Sequence, residues 1–266
     1  MLVARHAPYT AYARHYDHIG QRRFGERAAL LILELLKREC RPVESVVDLA
    51  CGTGAATYIF ADRGLKTTGV DLSADMLEIA RLGRVAGAAP VRWLQADMRS
   101  FESESRFDLC TCFYDAVNYL ETLSDFTDFA RACGRVLQPG GILAFDINTR
   151  RKLTEHWSDM TILAADNSDL FLVYRSWFDD KRGVSPLVMT GFERASDGSW
   201  QRFDEEHVET AFAVEDLRIA LEAAGFAHIR IFDLGDSSPH LDRPGGEMSF
   251  RVLFVAEPGT GEVISP

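Results

Sequence analysis

One stretch constrains the fold of this chain more than any other: VVDLACGTGAATYIFADRGLKTTGVDLS, residues 46–73. An apolar run ends at a Gly-x-Gly turn, a helical segment follows, and a second apolar run closes on an aspartate. Strands joined this way run parallel, because a crossover helix returns the chain to the same end of the sheet. The rhythm continues downstream: VRWLQ, FDLCTCF and GGILAFDI read as third, fourth and fifth strands. Gly64 suits the end of the first helix. Ser73 is placed to cap ADMLEIARL, Ser124 to open SDFTDFARACGRVL, and Pro139 to stop it. The QPGG before the fifth strand reads as a tight turn. Upstream, residues 21–40 set five leucines (Leu30, Leu31, Leu33, Leu35, Leu36) among charges and read as an amphipathic helix ended by Pro42.

The pattern changes after residue 156. LFLVYRSWF, LVMTGFER and WQRFDEEHVETAF are shorter alternating runs between turns at DDKRG and SDGS, as in antiparallel strands. VEDLRIALEAAG restores helical spacing, and AHIRIFDL with MSFRVLFVAE forms a closing strand pair. The expected fold class is α/β, a Rossmann-like sheet with helices on both faces. Its core spans residues 43–156 and 213–256, with an N-terminal helical lid over 1–42. An antiparallel cap is inserted over 157–212, and the polar tail over 257–266 is loose.

Composition excludes several classes. The 266 residues are 47% hydrophobic and 26% charged, enough for one large core. A net charge of −11 opposes a phosphate-tracking nucleic-acid binder, which carries a basic stripe. Five scattered cysteines, an odd number, point to reduced thiols in the cytoplasm, and no Cys/His group has metal spacing. The N-terminus lacks a signal peptide's apolar region, and AALLILELL is too short to cross a membrane.

The ligand follows from the residues around the turn. A dinucleotide fingerprint needs a third glycine, but Gly52-Thr53-Gly54 is followed by Ala55, Ala56 and Thr57. Asp71 does sit where a ribose-binding carboxylate would, so an NAD-type oxidoreductase is the rival enzyme and a non-catalytic sensing module the rival binder. Asp48 beside the turn opposes a pyrophosphate, and no Gly-Lys-Ser/Thr follows for a phosphate loop. A cationic ligand reverses that electrostatics. S-adenosylmethionine carries a sulfonium and an ammonium and no phosphate. DLACGTG, VDLS, QADM and LQPGG, in this order and spacing, resemble the motifs of class I S-adenosylmethionine-dependent methyltransferases. The resemblance covers roughly residues 9–156 and, more loosely, 203–255. Ala50 stands where that family usually has glycine.

The resemblance implies a role for each residue. Asp48 orders the turn and contacts the methionine end through water or backbone. Ala50, Gly52 and Gly54 let the backbone approach the cofactor. Asp71 accepts from the ribose hydroxyls, Leu72 and Met76 line the adenine, and Asp97 accepts from its amine with Met98 on the ring. FYDAVNYL, YARHYDHIG and FDEEHVETAF resemble bacterial small-molecule methyltransferases, amino-sugar and lincosamide N-methyltransferases among them. In that pattern Tyr16 sits near the methionine carboxylate, Phe113 beside the cofactor and Tyr119 near the acceptor. Tyr9, Tyr12 and Tyr16 form either a lid or the apolar stripe of one helix. His207 faces the pocket as a base or solvent as a spectator, and Asp146 and Asn148 are pocket residues or strand-end caps. The expected reaction is methyl transfer to a small-molecule acceptor, an amine first and an oxygen or carbon second. The eleven acidic against five basic residues over 157–212 are expected to draw cationic acceptors to the crevice.

Overall fold

A computed structural model describes residues 6–83, 89–235 and 241–259. The chain opens with α1 (Ala13–Tyr16) and α2 (Arg22–Arg38), then β1 (Ser45–Leu49), α3 (Ala55–Asp62) and β2 (Lys66–Asp71). There follow α4 (Ala74–Leu82), β3 (Val91–Gln95), β4 (Phe107–Cys112), a 3-10 turn (Ala116–Tyr119) and α5 (Leu123–Val136). After β5 (Leu137–Asn148) and α6 (Arg150–Glu155) come four strands: β6 (Met160–Asp166), β7 (Leu170–Ser176), β8 (Val184–Arg194) and β9 (Trp200–Thr210). The chain closes with α7 (Val214–Ala223), β10 (Phe226–Asp233) and β11 (Arg251–Pro258).

Seven strands form one sheet in the order β10-β11-β5-β4-β1-β2-β3. β1 pairs with β2 on one side and β4 on the other, both parallel. The chain therefore reverses its winding between β1 and β4, and open α/β sheets bind ligands beyond the strand ends at that reversal. The sheet is not wholly parallel: β11 is wedged antiparallel between β5 and β10. No crossover helix separates β10 from β11, so the chain returns in the opposite direction. Helix faces of opposite sides fill the core, with Phe126, Phe129 and Leu217 on one side of the sheet and Ile32, Leu36 and Phe60 on the other.

β6 to β9 form a separate antiparallel sheet in sequence order. β7 buries alternate residues, Leu170, Leu172, Tyr174 and Ser176, so its period of two is legible. β6 escapes a reading by alternation because it is an edge strand, half-exposed or exposed along its whole length. The N-terminal segment packs on this sheet: Ala11 and Tyr12 share a core with Leu172, Tyr174, Met189 and Phe203.

Local expectations are corrected at four places. α5 is opened by Thr122, not Ser124; Thr122 and Asp125 form a reciprocal capping box, and Ser124 lies inside the first turn. QPGG lies within β5 as a bulge: Phe107 faces Leu137, but Leu109 faces Ile142, with Gly140 at φ 77. The N-terminal segment is helical only from Ala13 and from Arg22, whereas His6 pairs with Glu205 of β9 in a single parallel bridge. In the tail, Glu257 and Pro258 belong to β11, while residues 260–266 lie outside the described residues. Ser73 does cap α4, accepting from the Met76 amide at 3.2 Å.

Candidate active site

The turn after β1 is built from left-handed residues. Ala50, Gly52 and Gly54 have φ of 51, 55 and 82. Alanine tolerates this conformation at a cost of about 1 kcal/mol, so the glycine usual at position 50 is dispensable. The two glycines do different work. A side chain at Gly52 would meet nothing within 4 Å and would project into a cavity of about 540 Å3 that Gly52 lines. A Cβ on Gly54 would instead lie 2.6 Å from the Trp93 ring. Gly54 is not on the cavity wall, which corrects its expected role: it lets β3 close on the turn rather than letting a ligand approach.

Two aspartates hold the turn. Asp71 at the end of β2 accepts from the Gly52 amide at 2.7 Å and the Ser73 amide at 2.8 Å. Burial pushes its carboxyl above the usual range, against the pull of these amides. Asp48 is 2% exposed beneath the turn, where the Thr57 and Thr111 hydroxyls donate to it at 2.6 and 2.7 Å. Burial pushes it up to about 6.

The cavity runs from this turn between α4, the loop after β3 and the residues after β4. Leu72, Met76, Met98 and Phe113 give it apolar walls, and Tyr9, Tyr16 and Tyr119 line it as well. Asp97 is on the wall, but its carboxylate is already held by the Arg99 guanidinium at 2.6 Å, which lowers its pKa. Cavity-lining carboxylates number five (Asp48, Asp71, Asp75, Asp97, Glu121) against two guanidiniums, Arg22 and Arg99. No residue of 157–212 lines the cavity, so the cap's acids act on it from behind the wall, as Glu209 does on the Tyr9 and Tyr119 phenols. Three of those acids, Asp204, Glu205 and Glu209, are buried in polar contacts of their own.

Tyr9, Tyr12 and Tyr16 are not one helical stripe. Tyr9 precedes α1 at φ 59, and its ring meets the edges of Tyr16 and His207. Tyr12 is 2% exposed and hydrogen-bonds the Tyr174 hydroxyl of the cap, so it anchors the segment rather than covering the cavity. His207 faces neither cavity nor solvent. It is 1% exposed behind Tyr119, with Nδ1 at 2.8 Å from the Tyr119 hydroxyl and Nε2 at 3.2 Å from Glu205. Asp146 and Asn148 are fully buried and off the wall.

Several working residues carry no local signal. Glu205 accepts from the backbone amides of Tyr9, Thr10 and Tyr12 at 2.9, 3.1 and 2.7 Å. Arg251 of β11, 4% exposed, donates to Asp115 and Asp146 and covers the Phe24 ring at 4.3 Å. Asp146 also accepts from the Tyr114 and Asp115 amides, fixing two consecutive residues at φ 66 and 53 ahead of Tyr119. Such hydrogen-bond partners are 31 to 196 residues apart in the chain, which no spacing reveals.

S-adenosylmethionine fits this donor set. The space above Gly52, the partly satisfied Asp71 carboxylate beside it, and an acid-rich wall suit a ribose joined to a cation. A pyrophosphate finds both wall guanidiniums already taken, Arg22 by Asp17 and Glu26 and Arg99 by Asp97 and Asp125. The comparisons agree. Residues 46–141 match a family model described as a methyltransferase domain. A putative methyltransferase of Bacillus subtilis, YqeM, is 34% identical over 214 residues, covering 80% of this chain and 83% of the relative. An S-adenosylmethionine-dependent methyltransferase from Clostridium acetobutylicum superposes with a TM-score of 0.80 at 25% identity, covering 94% of this chain and 99% of that one. An amino pentose methyltransferase from Micromonospora echinaspora, solved with S-adenosylmethionine bound, does so with a TM-score of 0.70 at 24% identity over 96% and 100% of the two chains. Fold, turn chemistry and likeness together set the NAD reading aside: this chain belongs to the class I S-adenosylmethionine-dependent methyltransferases.

Proposed function

We propose that the acceptor is an amine nitrogen of a small molecule, a natural product or metabolite, within a reaction whose coarser form, S-adenosylmethionine-dependent methylation of a small molecule, the family already gives. One observation carries this reading. The cavity is walled by the neutral phenols of Tyr9, Tyr16 and Tyr119 and by an excess of carboxylates. Burial raises all three phenols well above their usual pKa near 10, so they stay protonated at neutral pH. Aromatic faces and carboxylates attract a cationic amine and the sulfonium alike. A phenol or carbon acceptor requires a strong base on the wall, whereas an amine requires only loss of a proton.

When bound, S-adenosylmethionine supplies an electrophilic methyl carbon. The chain's own part is to bind, align and exclude water. In this reading Asp71 uses its remaining lone pairs on the ribose hydroxyls, and Leu72, Met76 and Met98 hold the adenine with Asp97 at its amine. Asp48, Ala50 and Gly52 shape the methionine end, Tyr16 and Phe113 flank it, and Tyr119 contacts the acceptor. The five cysteines are unpaired among the described residues, which supports a reducing compartment such as the cytoplasm.

The test is transfer of labelled methyl from S-adenosylmethionine to a metabolite extract and to a panel of amino sugars, aromatic amines and catechols. Mass spectrometry then locates the methyl. A product methylated on nitrogen is the expected result, and exclusive methylation of oxygen or carbon overturns the proposal.

A further inference from the structure

Tyr119 is the cavity end of a hydrogen-bonded chain that runs back into the cap and stops at a buried carboxylate. Its members come from three elements: Tyr119 from the 3-10 turn after β4, His207 and Glu205 from β9, and Tyr9 from the N-terminal segment. The direction of each bond follows from what the groups are able to donate. Glu205 receives three backbone amides, which only an acceptor tolerates. Burial opposes its ionisation, but the His207 contact and these amides outweigh burial and hold its pKa below the usual range. An ionised Glu205 has no proton to give, so His207 donates from Nε2, and in the neutral ring that the relay requires Nδ1 is left as an acceptor. The Tyr119 hydroxyl therefore donates to Nδ1 and accepts from the Tyr9 hydroxyl at 2.8 Å.

We infer that Glu205 is the positioning residue of a proton relay through His207 and Tyr119, and that the relay is assembled only when the N-terminal segment is seated. The inference rests on the amine reading of the acceptor. An ammonium at Tyr119 breaks one N–H bond and keeps the electron pair on nitrogen, ready to attack the methyl. The phenol oxygen takes that proton while its own hydrogen passes to Nδ1. His207 becomes an imidazolium beside the Glu205 carboxylate, so charge is conserved and no further reagent is needed.

Seating and relay are coupled because one carboxylate serves both. Glu205 holds the amides of Tyr9, Thr10 and Tyr12, keeps Tyr9 at φ 59, and orients the ring that activates Tyr119. Thr10 and Tyr9 also line the cavity, so closing it over the ligands and arming the relay are one event. The groups facing His207 are Glu205, the phenols of Tyr9, Tyr12 and Tyr119, and, opposite in β8, the apolar Leu187. Glu209, two residues along β9, is buried against Asn148, and burial with the neighbouring Asp115 raises its pKa well above normal. Glu205 is thus the carboxylate that stabilises an imidazolium at His207.

Nitrogen NMR of histidine-labelled protein bound to S-adenosylhomocysteine tests the assembly without any acceptor. His207 signals, identified by their absence in His207→Asn, are expected to report a neutral ring protonated at Nε2. Glu205→Gln, whose amide donates to Nε2, moves that proton to Nδ1. Glu205→Ala speeds hydrogen exchange of the Tyr9, Thr10 and Tyr12 amides by about tenfold or more. With the amine acceptor, Glu205→Gln lowers kcat by about tenfold or more while the KM for S-adenosylmethionine stays within about twofold. A wild-type ring protonated at Nδ1 overturns the relay, as does a Glu205→Gln enzyme whose kcat is unchanged. A methyl found on oxygen or carbon refutes the amine reading instead and leaves the tautomer and exchange results standing.

Discussion

The Gly52 amide donates to Asp71 across 2.7 Å, tying the turn after β1 to the end of β2. The same carboxylate shapes the turn and presents its other lone pairs to the cavity, so its loss is felt in binding before chemistry. Asp71→Ala is expected to weaken S-adenosylmethionine binding by about 2–3 kcal/mol, as for charged hydrogen bonds, or about 30- to 150-fold in Kd. Calorimetric titration of the folded variant measures this. Unchanged affinity removes Asp71 from the cofactor site.

Gly54 is held by packing rather than by ligand. Gly54→Ala forces both a φ of 82 on alanine and a Cβ 2.6 Å from Trp93. Stability is expected to fall by about 2 kcal/mol, several degrees in Tm. Adding Trp93→Leu recovers the steric part and leaves the backbone part. A glycine serving only the ligand would instead lower affinity with no change in Tm.

Asp48 gives the protein a pH-dependent stability of a defined sign. Its folded pKa of about 6 lies above the ordinary 3.8, so the fold favours the protonated form. That contribution is fully present below about pH 3.8 and is lost as pH rises through about 6, roughly 3 kcal/mol in all. Asp48→Asn removes the titration. The wild type should therefore lose stability relative to the variant between about pH 4 and 7, by urea unfolding at each pH. A constant difference across that range contradicts the assignment.

Tyr119→Phe removes the hydroxyl that bonds both Tyr9 and His207 while keeping the ring. Turnover is expected to fall by about 100-fold or more, as for loss of a proton-transfer group, with little change in S-adenosylmethionine affinity. Loss of affinity without loss of turnover at saturation would place Tyr119 among the cofactor contacts.

The parts legible in the sequence were those that neighbouring residues decide. Strand, glycine turn, helix and strand follow from apolar runs and left-handed turn residues within 46–73, and Ser73 caps α4 from three residues away. Cavity-wall positions such as Gly52, Asp71, Met76 and Met98 follow because short motifs end the strands where the sheet opens. The edge strand β6 stayed hidden because a strand with both faces half-exposed has no reason to alternate. Burial and long-range pairing belong to the tertiary structure. Gly54 and Trp93 meet only because β2 and β3 pair, and β11 enters the sheet antiparallel only through its contacts with β5 and β10. The environment of His207 is decided the same way. Its two ring nitrogens find Tyr119, 88 residues away, and Glu205, two residues away on the same face of β9, and the three N-terminal amides on Glu205 lie 193 to 196 residues distant. A residue type names the proton chemistry available to it, but only folding fixes which partner takes the proton.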